Sequence, residues 1–350
     1  MIDQRVPTLG RMNPEKASLG RSVSSRDYAY DFTKGFLVQV MIAFHSIQYF
    51  VGLHQIELNY LDFVTGGFVL LAGAAVTRFY LQKYDQQPAL MLRRLLIRGA
   101  KLVLLFALLN TCVHAFIKKN YNGVEFGVRH FFDHAFEVFI PGSKQLSCFE
   151  ILLPIGYTLM LAGVLVSALR STVGRVALIV TLFALSCIWV AAPFNVRFTA
   201  IGLSGVLIGY LRNVDLIPRT RRIAVAALLV LVAGYALSIT WLEQDNLWLY
   251  FIGVASVVQF VSLSAEDLNF DTRLVKAIVL FGRYSLFSYL FQILLLQLLL
   301  RILGTELLGK AEAILPMLAT NGALYVVVVA LESLRARHKF VNGSYRLVFA

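Results

Sequence analysis

The sequence is poor in charged residues, which make up 15% of its 350 residues, whereas 58% are apolar. A soluble protein of this size is about one quarter charged and nearly half apolar. This composition excludes an ordinary soluble globular protein and predicts an all-α polytopic membrane protein, because helices satisfy their own backbone groups in lipid. Internal repeats, low-complexity tracts and a segment large enough for a soluble domain are also absent.

Cysteine is scarce as well. The three cysteines, Cys112, Cys148 and Cys187, form no CxxC or CxxxC pair, so the sequence has no cysteine-based metal or redox motif. A disulfide between Cys112 and Cys148 and free apolar thiols both remain open. His130 and His134 are spaced one helical turn apart, but without a clear third ligand we predict no metal site and expect them at a polar vestibule or in solvent.

Acidic residues are outnumbered by lysine and arginine, which gives a formal net charge of +12. Such an excess can indicate nucleic-acid binding, but here it follows a membrane topology. With the N-terminus inside, 25 of the 32 Lys and Arg residues fall on cytoplasmic segments and only seven on outer ones. Cytoplasmic loops of membrane proteins carry this excess. We therefore predict about ten transmembrane helices, both termini in the cytoplasm, the lipid bilayer as a partner and no nucleic acid.

The apolar runs divide the chain into three parts. We predict a basic cytoplasmic arm at residues 1–30, a transmembrane domain at 31–334 and a cytoplasmic tail at 335–350. Signs of a cleaved signal peptide are absent, so the first helix is expected to be retained. The longest connection, residues 118–147, is expected outside the cytoplasm with a short interfacial helix in its middle. The later apolar runs centre on residues 148–169, 174–192, 198–211, 222–241, 247–264, 277–301 and 312–334.

The most informative stretch is DFTKGFLVQVMIAFHSIQYFVGL at residues 31–53, which has the length of a membrane span. Lys34 and His45 are eleven residues apart, so they share one helix face and His45 lies about 16 Å deeper. Asp31 is one turn before Lys34 and is expected to pair with it. A structural histidine is one interpretation. Because ionisable groups inside a membrane helix usually serve a function, the Lys34–His45 pair favours a functional role for His45.

A cationic cluster lies at the start of the third helix and contains Arg93, Arg94, Arg98 and Lys101. Arg94, Arg98 and Lys101 share one face of that helix. Guanidinium groups bind phosphates in a forked geometry. The cluster therefore predicts either a phosphate-binding site or ordinary positive charge at the cytoplasmic membrane surface.

Polar side chains also occur near or toward the outer side of the predicted helices, where they are candidates for an acceptor site or for ordinary interhelical hydrogen bonds. These residues are Glu150, Asp62, Gln48, Tyr49, Ser288 and Gln292. An imidazole in such surroundings can take a proton from a hydroxyl group that attacks an activated acyl group. The pattern indicates a group transfer across the bilayer.

The segment DFTKGFLVQVMIAFH resembles the first-helix signature of the acyltransferase-3 family of integral-membrane acyltransferases. That signature is Asp, two residues, Arg, Gly, and a His eleven residues after the Arg. Asp31, Gly35 and His45 match, whereas Lys34 stands where the family has arginine and lacks its bidentate fork. Residues 61–80, 90–102 and 281–295 are similar to the same family, notably to its branch that succinylates periplasmic glucans.

The resemblance implies a bacterial inner-membrane acyltransferase with His45 as its catalytic base or acyl carrier. Cytoplasmic acyl-coenzyme A would be the co-substrate, with no bound cofactor, and a hydroxyl of an extracytoplasmic carbohydrate or glycolipid would be the acceptor. Asp31, Lys34 and the cationic cluster of the third helix would hold the donor. Two alternatives remain open: a glycan or lipid transporter with His45 in a proton relay, and an N-acyltransferase for amino sugars.

Overall fold

The structure is a computed structural model that describes residues 27–52, 56–84, 86–116, 127–142, 147–169, 174, 193–213, 221–241, 247–303 and 312–349. These residues form helices and contain no strand, which confirms the all-α prediction. The helices are α1 (Tyr28–Phe50), α2 (Ile56–Leu61), α3 (Phe63–Ala75, continued by a π-helical turn, Val76–Leu81), α4 (Pro88–Phe116), α5 (Val128–Asp133), α6 (Ala135–Phe139), α7 (Leu152–Leu169), α8 (Phe194–Asn213), α9 (Arg221–Trp241), α10 (Leu247–Ala265), α11 (Arg273–Arg283), α12 (Ser285–Leu303), α13 (Ile314–Arg337) and α14 (Lys339–Phe349).

In the described part of the chain, five helical segments are long and apolar enough to cross a membrane. They are Glu57–Leu81, Pro88–Ala115, Phe194–Leu211, Ser285–Leu303 and Ile314–Arg337, and shorter apolar helices cover Leu152–Val166, Leu228–Leu237 and Tyr250–Ala265. The chain therefore has the features of a membrane protein. The total of ten helices and the orientation of the termini stay predictions, and the helix predicted at 174–192 lies outside the described residues except for Gly174.

Helix α1 is not one of the five apolar segments, although its 23 residues would suffice in length. Charged and polar side chains along it lower its hydropathy. It is instead surrounded by protein, since α3, α10, α11, α12 and α13 all contact it. It begins at Tyr28, where the Asp27 side chain accepts a hydrogen bond from the Tyr30 N–H at 2.9 Å. Residues 28–30 thus belong to the helix and not to the predicted arm.

Close backbone contact fixes the first half of α1 against α11. A Cβ atom on Gly35 would overlap the carbonyl of Ile278, and one on Gly282 would overlap the carbonyl of Asp31. Glycine at both positions lets the two backbones touch, as small residues do between helices in membranes. The Asp31 region is thereby held at a defined place in the bundle.

The apolar run predicted as one helix at 277–301 is divided into α11 and α12. The break falls at Tyr284, whose backbone leaves the helical region with φ −110° and ψ 27°. The physical reason is that α11 is amphipathic, with exposed Arg273 and Lys276, whereas α12 is long and apolar enough to cross a membrane. An amphipathic helix suits a surface and an apolar helix suits the lipid interior.

Two predicted non-membrane segments also contain helices. The 118–147 connection includes the short helices α5 and α6, as its apolar spacing indicated. The predicted tail at 335–350 contains the last turn of α13 and helix α14. Arg335 anchors α14, because its guanidinium lies over the rings of Tyr345 at 3.9 Å and Tyr284 at 5.3 Å and binds Asn342 Oδ1.

Candidate functional site

An open groove of about 490 Å³ lies beside the N-terminal end of α1, between the π-helical turn with its following residues and α4. We call it the basic groove. Its lining combines cations with aromatic rings and comprises Phe79, Tyr80, Lys83, Tyr84, Arg94, Ile97, Arg98 and Lys101. The groove brings together three of the four cations predicted as a phosphate site.

Two arginine–tyrosine pairs shape the basic groove. Arg94 hydrogen-bonds the Tyr84 hydroxyl and lies 5.0 Å from the centre of that ring. Arg98 hydrogen-bonds the Tyr80 hydroxyl and lies 5.7 Å from its ring centre. Such cation–π contacts and hydrogen bonds fix the guanidinium planes. The i, i+4, i+7 spacing of Arg94, Arg98 and Lys101 therefore placed them correctly on one face, while Arg93 is exposed and lies outside the lining.

The π-helical turn determines where the aromatic wall of the groove stands. A π turn adds a residue to the helical repeat and is common at functional sites. The Thr77 hydroxyl ties this turn to α8 by donating to the Val206 carbonyl at 3.0 Å. Arg78 ties it to the start of α1, because it pairs with Asp27 and lies over the Tyr30 ring. The amino-acid spacing of this region gave no signal for the π turn.

Lys34 and Asp31 lie near the basic groove but do not line it. Lys34 Nζ is 2.8 Å from Asp31 Oδ1, which confirms the predicted pairing. The same ammonium lies 5.0 Å from the centre of the Tyr30 ring, whose hydroxyl donates to the Leu71 carbonyl at 2.8 Å. The charge of Lys34 is thus balanced within the protein, beside the groove.

A second cavity, of about 120 Å³, lies toward the C-terminal end of α1, and we call it the His45 cavity. It brings together five side chains that the sequence singled out separately. They are His45, Gln48 and Tyr49 from α1, Asp62 next to α3, and Glu150 before α7. The sequence could suggest the first three from their spacing, whereas only the fold brings the two acids to them.

Hydrogen bonding and stacking orient the His45 ring. His45 Nδ1 lies 3.0 Å from Gln48 Oε1, and the ring stacks on Tyr49 with 5.7 Å between centres. An amide oxygen only accepts hydrogen bonds, so in this arrangement Nδ1 carries the proton. The Nε2 lone pair then remains available as a base. The cavity thus holds an oriented imidazole together with two carboxylates.

One wall of the His45 cavity is the segment from Ser147 to Ile151. Asn110 of α4 holds this segment, because its side chain accepts from the Cys148 N–H at 2.7 Å and donates to the Cys148 carbonyl at 2.9 Å. Phe149 has a positive φ of 59°, which is strained for a bulky residue. Sequence reasoning missed both residues. Asn110 could have been recognised from the sequence, because it is a polar residue within an apolar helix. The sequence contains no signal for the positive φ of Phe149.

The structure also bears on the possible disulfide between Cys112 and Cys148 and on the surroundings of His130 and His134. Cys112 and Cys148 are free thiols, so the structure does not contain the disulfide between them, and Cys187 lies outside the described residues. Burial and, to a smaller extent, the Glu150 charge raise the pKa of the Cys148 thiol to about 12, against the opposing effect of a Gln297 hydrogen bond. The rings of His130 and His134 lie with their centres 4.2 Å apart and are tilted by 48° to each other. No group of three metal-binding side chains occurs among the residues that the structure describes.

Two predicted acceptor-side residues fall elsewhere. Ser288 and Gln292 of α12 are fully buried and do not line the His45 cavity, although the intervening Tyr289 does. The reason is rotational: consecutive helix positions point about 100° apart, so a polar stripe and its neighbour face different helices.

Lys34 and His45 also do not meet in either of these two cavities, because Lys34 lines neither of them. Between them the buried Leu37, Val38 and Met41 of α1 are apolar, and the two cavities described here share no lining residue. The polar face predicted for α1 is therefore interrupted at its middle.

Comparison with known proteins gave no relative: no family model, no curated protein and no solved structure matches the chain. The resemblance of the first helix to an acyltransferase signature therefore stays a prediction.

Proposed function

We propose that this protein is a membrane O-acyltransferase that moves an acetyl or succinyl group from cytoplasmic acyl-coenzyme A to a hydroxyl of an extracytoplasmic carbohydrate or glycolipid. The observation that carries the proposal is the pair of cavities at opposite ends of α1. One is cationic and aromatic, and the other holds His45 with Asp62 and Glu150. The membrane is proposed to be a bacterial inner membrane, with the basic groove facing the cytoplasm.

The basic groove suits the donor. Its volume of about 490 Å³ lies within the usual range of ligand pockets, roughly 300–1,000 Å³. Lys83, Arg94, Arg98 and Lys101 supply charges for the phosphates of acyl-coenzyme A. Tyrosine rings in the same lining offer flat faces for stacking. The donor acts here as a co-substrate and not as a bound cofactor.

The His45 cavity suits the chemical step. His45 Nε2 takes the proton of an acceptor hydroxyl while the hydroxyl oxygen attacks the thioester carbonyl carbon. The new carbon–oxygen bond forms, the carbon–sulfur bond breaks, and the coenzyme A thiolate leaves and receives the proton. An alternative order, in which His45 first carries the acyl group, uses the same residue as nucleophile.

The acids of this cavity suit the acceptor. The carboxylates of Asp62 and Glu150 accept hydrogen bonds from sugar hydroxyls. The volume of about 120 Å³ is below that of a drug-sized pocket, so it holds the reacting hydroxyl and the acyl group and leaves the rest of the acceptor outside.

The proposal requires a path between the two cavities. Lys34 and His45 are separated by about 16 Å along α1, and the buried Leu37, Val38 and Met41 lie on that stretch. The flexible arm of acyl-coenzyme A must therefore pass along α1, with movement of the helices around it.

Purified protein incubated with labelled acetyl- or succinyl-coenzyme A, with and without envelope glycans, tests the proposal. We expect one label to appear in the glycan as an ester, and an amide product would instead identify an N-acyltransferase. If no label leaves coenzyme A with any acceptor fraction, the proposal is wrong.

The separation of the cavities also favours a second candidate, a glycan or lipid transporter that binds its substrate alternately from the two sides. In that case His45 would serve a proton relay. Substrate flux across proteoliposomes without consumption of acyl-coenzyme A would support the transporter and contradict the acyltransferase.

A further inference from the structure

Three helices each carry a buried stripe whose residues are spaced by four and therefore lie on one helix face. The stripes are Val38, Ile42, Ser46 and Phe50 on α1, Ser288, Gln292 and Leu296 on α12, and Thr320, Leu324 and Val328 on α13. Each stripe contains apolar members and at least one polar member.

The apolar members show how the three helices face one another. Phe50 belongs to one cluster with Leu296, and Ile42 belongs to another with Leu324. The helices α1, α12 and α13 also contact each other directly. The polar members fall on the stretches that these two clusters bracket. With a rise of 1.5 Å per residue, they lie within about 6 Å of one another along the bundle axis.

The polar members are buried and lack hydrogen-bond partners among the described residues. The unpartnered atoms are Ser46 Oγ, Ser288 Oγ, Gln292 Nε2, Gln292 Oε1 and Thr320 Oγ1. Their residues are 0 to 1% exposed. Burial of a polar group without a partner is unfavourable, and most buried polar atoms in proteins bind either protein or ordered water.

Two other buried hydroxyls in the same bundle differ, because they donate to their own helix. Thr33 donates to the Ala29 carbonyl at 2.8 Å, and Thr199 donates to the Asn195 carbonyl at 2.7 Å. Ser46, Ser288 and Thr320 do not make this local bond, so their hydroxyls remain available to a ligand between the helices.

We propose that Ser46, Ser288, Gln292 and Thr320 form a buried water-binding site between α1, α12 and α13. A buried water makes about three hydrogen bonds, so the five unpartnered atoms suit about two water molecules. Gln292 offers both a donor and an acceptor, and the hydroxyls can serve as either. The site is separate from the His45 cavity and does not depend on the proposed acyl transfer.

Hydroxyl-radical footprinting of the full-length protein in lipid nanodiscs tests the site, because X-rays generate radicals within bound water and these label adjacent side chains. Phe291 and Met317 pack against the cluster of Ile42 and Leu324 that borders the site, so they are expected to be labelled. The double variant Gln292→Leu/Thr320→Val should lose most of this labelling. The matched control Thr33→Val should keep it, because the Thr33 hydroxyl is already bound within its helix.

The sign of a stability change provides a second readout. If water occupies the site, Thr320→Val leaves that water and Gln292 short of partners, so the unfolding midpoint should fall by about 2 °C or more. If the site is dry, the isosteric valine removes an unpartnered hydroxyl, and the midpoint should stay or rise. A stable Thr320→Val variant, or labelling that is unchanged in the double variant, would overturn the proposal.

Discussion

The basic groove and the His45 cavity differ in how the chain assembles them. The groove is built from residues 79–101, two neighbouring elements joined by a short connection, and it is open. The His45 cavity is small and draws residues from α1, α3, the segment before α7, α8 and α12, between positions 41 and 293. A change in the groove should therefore act locally on ligand binding, whereas a change in the cavity should affect both chemistry and packing.

The largest effect is expected from the loss of His45. The His45→Ala variant should lower acyl transfer by about 10²-fold to 10⁴-fold, the usual contribution of a general base, and the loss is total if His45 carries the acyl group. Turnover is measured with labelled acyl-coenzyme A at saturating acceptor. His134→Ala is the matched control, since the His134 ring lies next to His130 and does not line the cavity. Wild-type turnover in His45→Ala would remove the catalytic role.

The next effect concerns the groove and separates binding from chemistry. Arg98→Ala removes a cation that lines the groove, so KM for acyl-coenzyme A should rise about tenfold, the equivalent of one charge-assisted hydrogen bond, with kcat little changed. Arg93→Ala is the matched control because Arg93 is exposed outside the groove. Equal KM changes in both variants would mean that the groove is ordinary surface charge.

A smaller effect is expected where the cavity wall is held. Asn110→Ala leaves the Cys148 N–H and carbonyl without their side-chain partner, which should reduce the free energy of unfolding by about 1–3 kcal/mol. The loss of stability is measured as a lower unfolding midpoint, and the displacement of the cavity wall is measured as a change in KM for the acceptor. The neighbouring Thr111→Ala is the control, because the Thr111 hydroxyl donates to the Ala107 carbonyl of its own helix and does not hold the cavity wall. If Asn110→Ala changes neither the unfolding midpoint nor KM for the acceptor, the cavity does not depend on the hydrogen bonds between Asn110 and Cys148.

The smallest effect is expected at Lys34. Lys34→Arg keeps the positive charge beside Asp31 and restores the residue of the resembling signature, so acyl transfer should stay within about threefold of the wild-type rate. Lys34→Met should reduce acyl transfer more, because it removes the positive charge that lies 2.8 Å from the buried Asp31 carboxylate. The two variants are compared at several donor concentrations. A larger loss in the arginine variant than in the methionine variant would contradict a role for the charge.

The same contrast explains what the sequence could predict. Helical spacing correctly placed Arg94, Arg98 and Lys101 on one face and paired Asp31 with Lys34, because these relations are local. Helical spacing could not show that Gln292 lies outside the His45 cavity, since the rotation of α12 about its axis is set by contacts with helices distant in sequence. It also joined α11 to α12, because a run of apolar residues does not reveal a break at Tyr284.

The membrane topology illustrates a further limit. Composition predicted a helical membrane protein, and the described helices support this. The hydropathy of α1 is lower than that of the five apolar segments, because Asp31, Lys34 and His45 stand on it in place of apolar residues. Its surroundings, which no local pattern encodes, make the polar residues tolerable by covering them with other helices.

The central claim is that the two cavities are the donor and acceptor sides of one transfer across the membrane. Sealed proteoliposomes of known orientation, with labelled acyl-coenzyme A on one side and envelope glycan on the other, test it most directly. The account predicts acylated glycan only when acyl-coenzyme A is on the side of the basic groove and the glycan is on the side of the His45 cavity. Product formed only when both substrates share one compartment would contradict it.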